Sequence, residues 1–446
     1  MIILGEEQQE ALNKIQNFIA NGKDTSISLS GAAGTGKTLV ISYIIKWLQH
    51  NRIPYCLCAP THKAKTVIEH YTNEDAITLH KLLELSPKLD ILELDFNNLL
   101  FDVKKASSTI PYNGVVICDE ASMINDSLFD LLEEMCETNN SKIIFIGDKS
   151  QLMPVKSDFL SKVYNLKNQC LLTKIYRQSS ENALLPLLQT LREHPVYKLE
   201  TCKGLEGSLL CESDFKYFFN LILEEIKIAI ETENLFRTKV LAFTNARVDK
   251  YNEFIARALF GDETKFHKSE IIQCCENLEY NKCEFWNSME YMIVDVPKQI
   301  DIEIPGFIKL PAYHLELSDK HSVDILDMNI KDSTFSDLAA YVEELRLMAI
   351  QETNKKLKGK IWGSYYRVFN SFTSPIDLYY DGRLIRKKSF TRGYATTVHK
   401  SQGSSYDKVF VDLVDILRCR DSMLLRQLEY VALSRTRSDA IVYQRA

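Results

Sequence analysis

A glycine-rich turn constrains this chain more than any other feature. Residues 28–40 read SLSGAAGTGKTLV, and Gly31 to Thr38 match G-x-x-x-x-G-K-T. The turn follows a β-like apolar run and opens a helix-like one, the context this motif requires. Gly31, Gly34 and Gly36, with Ala32, Ala33 and Thr35 between them, let the backbone turn tightly and aim N–H groups at phosphate. The positive end of the following helix faces the same anion. Lys37 then supplies a point charge to the outer phosphates, and Thr38 a hydroxyl to Mg²⁺.

The patterning around this turn predicts the fold class. TSISLSG (25–31), YCLCAP (55–60), VVICDE (115–120) and KIIFIGD (142–148) read as short buried strands. KTLVISYIIKWLQH and SLFDLLEEMCE read as helices between them. Such alternation implies a parallel sheet with helices on both faces, binding its ligand at the carboxyl ends of the strands. The rhythm resumes later: KVLAFTN (239–245) and DKVFVDL (407–413) read as strands, ARVDKYNEFIARALF and DSMLLRQLEYVALSRTR as helices. A second parallel α/β lobe is expected there. Two segments break the pattern. Residues 84–112 suit a hairpin folding back at Asn97–Asn98, between DILELDF and LLFDVKK. Residues 262–389 are too long and too irregular for a loop and read as an inserted domain.

Phosphate chemistry needs more than a loop, and the strand ends supply it. Asp119 and Glu120 end the VVICDE run. Beside a phosphate-binding loop, the aspartate holds the magnesium shell and the glutamate positions or deprotonates the attacking water. Gln151, in GDKSQLMPV, offers an amide to both water and γ-phosphate. Arg177 in LTKIYRQ, and Arg435 and Arg437 in YVALSRTRS, are candidates to neutralise charge on the transferring phosphoryl group.

The bulk numbers bound the rest. A chain of 446 residues accommodates about two to four domains at roughly 100–200 residues each. With 54 Lys and Arg against 60 Asp and Glu, the formal charge is −6, so a nucleic-acid partner requires a local basic patch. The densest basic stretch runs from 382 to 400, with Arg383, Arg386, Lys387, Lys388, Arg392 and Lys400 and no acidic residue. Eleven scattered cysteines argue against a disulfide framework and for a reducing compartment. Cys274, Cys275 and Cys283 lack the paired spacing of a zinc site. The opening MIILGEEQQEALNKI turns acidic too early for a signal peptide, and no run of about 18 apolar residues suggests a membrane span. A soluble, intracellular (cytoplasmic) protein is expected.

Taken together, Gln8, GAAGTGKT, APTHKAK (59–65), CDEAS, GDKSQ, YRQ, AFTN, YATTVHKSQGSS (394–405) and YVALSRTR resemble the motifs of superfamily 1 DNA helicases, in their order. The likeness is to the RecD-like branch, and within it to the Dda-like phage helicases. It spans residues 8 to 437, with 262–389 only weakly matched. The resemblance implies an α/β P-loop NTPase fold with two RecA-like parallel-sheet domains. A small pin hairpin interrupts the first, and a larger, mixed, SH3-like insertion the second. The implied boundaries are 1–83 with 113–170 (domain 1A), 84–112 (1B), 171–261 with 390–446 (2A) and 262–389 (2B). It implies ATP and Mg²⁺ as cofactors, single-stranded DNA and single/double-strand junctions as partners, 5′-to-3′ movement, a monomeric enzyme and a single-strand-binding protein as a further partner. A place in replication or recombination is implied as well.

Residue by residue, the resemblance puts Gln8 on the adenine edge and Tyr176 on its face. Lys37, Thr38, Asp119, Glu120, Gln151, Arg177, Gln402, Gly403 and Arg435 would serve the triphosphate, with Thr38 and Asp119 at the metal. His62, Lys63, Thr78, His80, Phe243, Asn245 and His399 occupy positions that face DNA in the family. Trp362 and Tyr366 are candidates for base stacking, against core packing as the plainer use. Phe96 and Phe101 are candidates for the apolar tip of the pin. In one departure, Ser404 and Ser405 follow Gly403 where relatives often carry an acidic residue for the ribose. Three other readings fit the nucleotide motifs: an ATP-gated DNA translocase or loader without strand separation, an RNA helicase, and an ATPase acting on protein.

Overall fold

The computed structural model describes residues 4–87, 101–103, 109–154, 160–175, 182–234, 237–261, 265–280, 283–303, 309–319, 322–330, 333–380 and 383–445. They form two compact units. One comprises Met1–Phe218, Leu241–Asn245 and Thr397–Ala446, the other Phe219–Val240 and Ala246–Thr396.

The first unit contains the expected parallel sheet. Its spatial order is Ala76–Thr78, Tyr55–Ala59, Val115–Cys118, Lys142–Gly147, Ser26–Gly31, Gln169–Leu172, and neighbouring strands run parallel throughout. The central strands are buried on both faces, which is why they read as unbroken apolar runs. On one face, Ile27, Leu29, Ile117 and Ile144 pack against the helices Glu6–Asn21 and Lys37–His50. On the other, Val116, Ile143 and Phe145 pack against the helix Asp126–Thr138. Thiols lie at the centre of this sheet. Cys58 stands opposite Cys118 on adjacent strands, with Cys56 and Cys136 near by. Burial pushes the Cys56 thiol up to about 12 and raises Cys136 as well, while a hydrogen bond with Cys118, then burial, raises Cys58.

A second sheet runs Ala395–Thr397, Thr238–Ala242, Tyr406–Asp412, Thr436–Tyr443, Ser208–Glu212, Cys202–Lys203. One of its strands departs from the sequence reading. The helix Ser422–Ser434 stops before Thr436, and TRSDAIVY forms a strand parallel to both 406–412 and 208–212. The helical pattern extended by sequence through Arg437 overran this boundary. Helix Ser422–Ser434 buries Leu425, Leu428, Tyr430, Val431 and Leu433 in the core of the lobe.

The second unit is built on an antiparallel sheet in the order Lys298–Ile302, Leu310–Ser318, Glu290–Ile293, Ile271–Cys274, Phe390–Arg392, with Val323–Asn329 also paired to 310–318. Two long helices follow, Ser333–Gln351 and Lys355–Asn370. The sequence reading did not contain them. Ion pairs stitch this unit. Lys239 and Glu290 meet at 3.0 Å with both side chains buried.

Three of the six basic residues of the 382–400 stretch are neutralised here, which counts against reading those three as a track for nucleic-acid backbone. Lys387 is buried, 3.2 Å from Glu276 and 4.7 Å over the Phe369 ring. Lys388 pairs with Asp249, and Arg392 with Glu270 at 2.9 Å. Trp362 is also corrected as a stacking platform. It is only 3 % exposed, edge-on to Tyr365 at 5.2 Å and stacked on Tyr366 at 5.9 Å. Residues 362, 365, 366 and 369 share one helical face, so this aromatic stripe packs a helix rather than presenting rings to a base. Tyr366 is half-buried in the same cluster.

Part of the expected pin is described. Leu85–Pro87 pairs antiparallel with Phe101–Val103, and Phe101 stands opposite Pro87. The turn expected at Asn97–Asn98 lies outside the described residues. Phe96 lies outside the described residues, as do the side chain of Phe101 and the residues Tyr176 and Arg177.

Candidate nucleotide site and nucleic-acid interface

The glycine-rich loop sits between the strand Ser26–Gly31 and the helix Lys37–His50. Gly36 caps that helix in the left-handed region, φ 82°, and a Cβ there would collide with the Gln8 amide. Gly34 is also left-handed, φ 83°. Both positions demand glycine on backbone grounds. Gln8 is buried and spans the loop: its Nε2 donates to the Thr35 carbonyl at 2.9 Å, and its Oε1 accepts from Gly5 N at 3.0 Å. The Thr35 hydroxyl donates to Ala32 O at 2.9 Å. Lys37 Nζ donates to Gly31 O at 2.8 Å and Ala32 O at 3.0 Å, which places the ammonium inside the loop. Thr38 is half-buried in the first turn of the helix.

Asp119 and Glu120 follow the neighbouring strand Val115–Cys118. Burial, then the adjacent Glu120, push the Asp119 carboxyl up to about 7, and Lys37 opposes this only in part. A carboxylate so short of positive charge suits a divalent cation, which fits Mg²⁺ held by Asp119 and Thr38. Glu120 adopts φ 51°, ψ 40°, unusual for a residue with a side chain.

The second lobe contributes from YATTVHKSQGSS and YVALSRTR. Gln402 is 8 % exposed and Arg435 is 5 % exposed. Arg435 donates to Ser404 O and Ser434 Oγ, each at 3.3 Å. Its Nε, the Gln402 Nε2, the Ser404 Oγ and the Gln151 Oε1 are buried with no hydrogen-bond partner among the described residues. Buried polar groups are normally paired, so four such atoms in the nucleotide motifs fit a polar ligand. Gly403 turns at φ 74° beside Ala64. Arg437 is half-exposed, 3.5 Å from Asp407, and is better placed for that surface pair than for phosphate.

Residues expected to face nucleic acid divide into two groups. Lys63 is buried, with Nζ 3.4 Å from the Tyr406 hydroxyl and 5.8 Å over its ring. It bridges the two lobes, so its reading as a DNA contact is corrected. Thr78 caps the short helix Leu79–Leu82, accepting from Lys81 N at 3.3 Å, and is buried. By contrast, His62, His80 and His399 are partly accessible, and Asn245 is exposed at the start of the helix Asn245–Phe260. The ring of Phe243 lies 6.3 Å from that of His399. Burial lowers all three histidines, His62 to about 4 with help from Lys65, Lys81 and His80. They are neutral at physiological pH and suit hydrogen bonding to bases or phosphates rather than ion pairing.

Three functional groups escaped the sequence reading. Asp415 accepts from Phe243 N at 3.0 Å, Thr244 N at 2.7 Å and the Thr244 hydroxyl, and so holds the AFTN segment in place. Tyr430 donates to Asp148 at 2.6 Å. Arg192 donates to Ser150 Oγ at 3.3 Å. Tyr430 opens YVALSRTR and Asp148 is the second residue of GDKSQ, but nothing in either string says that they meet.

Glu429, beside Tyr430, gives the lobe a pH dependence. Its Oε2 accepts from Val196 N at 2.9 Å, and burial pushes the carboxyl from 4.5 up to about 7. Between those values the folded chain holds a proton that the unfolded chain has released. Its contribution to stability is therefore present below pH 4.5 and is lost as pH rises through 7. Glu429→Gln should flatten this slope. Urea midpoints at about pH 5 and about pH 8 check it: the wild type should lose more than the variant between them.

The comparisons with known proteins agree with this geometry. Residues 14–157 match the family model of an AAA domain, and residues 392–443 that of the UvrD-like helicase C-terminal domain. The ATP-dependent DNA helicase Dda of Enterobacteria phage T4 is 26 % identical over 98 % of both chains. The RecBCD enzyme subunit RecD of Buchnera aphidicola is 30 % identical over 40 % of this chain and 34 % of its own. Among solved structures, the Pif1 helicase from Bacteroides in complex with ADP-AlF3 and single-stranded DNA superposes with a TM-score of 0.52 at 17 % identity, covering 99 % of this chain and 92 % of that one. That likeness establishes the fold of two RecA-like domains. With the phage T4 Dda helicase matched end to end at 26 % identity and the nucleotide motifs carried on two α/β sheets, the chain is similar over its whole length to the Dda-like helicases of superfamily 1.

Proposed function

We infer that this protein hydrolyses ATP to move 5′-to-3′ along single-stranded DNA and to separate the duplex ahead of it. One observation carries the reading. Buried, unpartnered polar atoms of Gln151 from the first lobe and of Gln402 and Arg435 from the second belong to the same compact unit as Lys37 and Asp119. A triphosphate bridging them would link the spacing of the lobes to hydrolysis. Lys37 would hold the outer phosphates. Asp119 and Thr38 would hold Mg²⁺, which supplies charge neutralisation at the β- and γ-oxygens when bound. Glu120 would orient or deprotonate the attacking water, and Gln151 would sense it. Single-stranded DNA is the expected track, lying on the Phe243, His399, His62 and His80 surface. The four-part division at 84, 113, 171, 262 and 390 belongs to this proposal, as do a monomeric working form, a single-strand-binding protein as partner and a reducing intracellular setting. None of the eleven cysteines is in a disulfide, and among the described residues no helix is long and apolar enough to cross a membrane.

Unwinding of a short duplex bearing a 5′ tail, a 3′ tail or none, with ATP and Mg²⁺ and with Lys37→Ala as control, tests this. Strand separation on the 5′-tailed substrate alone, lost in the variant, is the expected result. Activity only on the 3′ tail would reverse the direction. DNA-stimulated hydrolysis without unwinding would reduce the protein to a translocase or loader, and stimulation by RNA alone would change the substrate.

A further inference from the structure

We propose that Tyr430 is a positioning residue that ties the second lobe to the γ-phosphate end of the nucleotide site. Its phenol anchors the loop that carries Gln151 and shares the Ala33 N–H with phosphate. This rests on the ATP-hydrolysing function above.

Tyr430 is 2 % exposed on the helix Ser422–Ser434. A phenol has one proton to donate and lone pairs to accept with. Here the proton goes to Asp148 Oδ2, at 2.6 Å, and the oxygen faces Ala33 N at 3.5 Å. Both partners belong to the first lobe. Ala33 is in the glycine-rich loop, and Asp148 follows the strand Lys142–Gly147.

Asp148 organises the turn that delivers Gln151. Its Oδ1 accepts from Ser150 N at 3.0 Å, and its backbone carbonyl accepts from Gln151 N at 3.1 Å. Arg192 braces the same turn through Ser150 Oγ, and its own carbonyl accepts from Arg426, on the Tyr430 helix, at 2.6 Å. The turn is therefore held by one helix of the second lobe, directly and through Arg192. That helix ends at Arg435. A helix moves as a rigid rod, so a displacement that shifts Arg435 shifts Asp148, and with it Gln151, together.

The two bonds of the phenol differ in kind. The bond to Asp148 is short and charge-assisted, hence strong; that to Ala33 is at the limit of hydrogen-bond length. A phosphate oxygen is the stronger acceptor for the Ala33 N–H, so triphosphate displaces the phenol there while the Asp148 anchor stays.

Tyr430→Phe keeps the buried ring and removes only the hydroxyl. With saturating single-stranded DNA, kcat for ATP should fall about tenfold, the scale of one charge-assisted hydrogen bond. KM for ATP should stay the same or drop, because a competitor for the Ala33 N–H is gone. Asp148→Asn breaks the same interaction from the other side and should act alike. The double variant should be no slower than the slower single one. A wild-type kcat in Tyr430→Phe would overturn the proposal, as would a raised KM with kcat unchanged, or additive losses in the double variant. Absence of DNA-stimulated hydrolysis in the wild type would instead bring down the helicase function on which it rests.

Discussion

Arg435→Lys should lower kcat for ATP about a thousandfold or more while nucleotide affinity changes little. An arginine on the transferring phosphoryl group is worth roughly a thousandfold to a hundred-thousandfold, because it neutralises charge that develops only in the transition state. Arg435 caps the helix Ser422–Ser434, is almost wholly buried, and has two of its nitrogens occupied by Ser404 O and Ser434 Oγ. These bonds fix the guanidinium plane and leave Nε unpartnered among the described residues. Lysine keeps the charge but has no planar fork, so it cannot hold those anchors and reach phosphate together. Single-turnover hydrolysis, with fluorescent-nucleotide binding measured in parallel, separates the two quantities. A loss confined to binding would remove Arg435 from the transition state.

Glu120 carries the second large effect. Glu120→Gln should reduce DNA-stimulated hydrolysis by about a hundredfold to ten-thousandfold, the range for loss of a general base. The residue sits at φ 51°, ψ 40°, where a Cβ costs about 1–2 kcal/mol. Glycine avoids that cost. Glu120→Gly should therefore be equally inactive yet unfold at a higher denaturant concentration than the wild type. A side chain held in strain where chemistry needs it pulls activity and stability apart. If Glu120→Gly were no more stable, the left-handed backbone would not be strained, and the backbone argument would fail while the catalytic one stood.

The parts of the fold legible in the sequence were those with one cause. Ser26–Gly31, Val115–Cys118 and Lys142–Gly147 are buried on both faces, so burial writes a continuous apolar string. TRSDAIVY was hidden because its first four residues are polar and follow a helix without a break. The helix Ser333–Gln351 was hidden for the opposite reason. Its apolar residues extend round the cylinder, with Leu347, Met348 and Ile350 exposed, so no single stripe announces it. The basic run misled because charge in a string does not reveal its counter-charge. Glu276, Asp249 and Glu270 lie more than a hundred residues away from Lys387, Lys388 and Arg392.

The candidate site divided along the same line. Lys37, Asp119 and Glu120 could be proposed from the string because phosphate chemistry confines such residues to short motifs, whereas Gln8 was proposed only through the family resemblance. Lys63 and Trp362 were misassigned because their residue types suit nucleic acid and their burial is a tertiary fact. The bond from Tyr430 to Asp148 joins positions 282 apart, and no local pattern encodes such a meeting.

The thiols at the centre of the first sheet give this enzyme an internal clock. Cys58 and Cys118 face each other on adjacent strands, the second of them just before Asp119, and both are fully buried. Only thiolate exposed to solvent reacts. A thiol reagent can reach them only when the strands part, so the labelling rate at these two positions times the opening of the sheet that carries the catalytic carboxylates. Ligands that hold the lobe shut slow that clock, so the labelling rate at two native cysteines reports their binding.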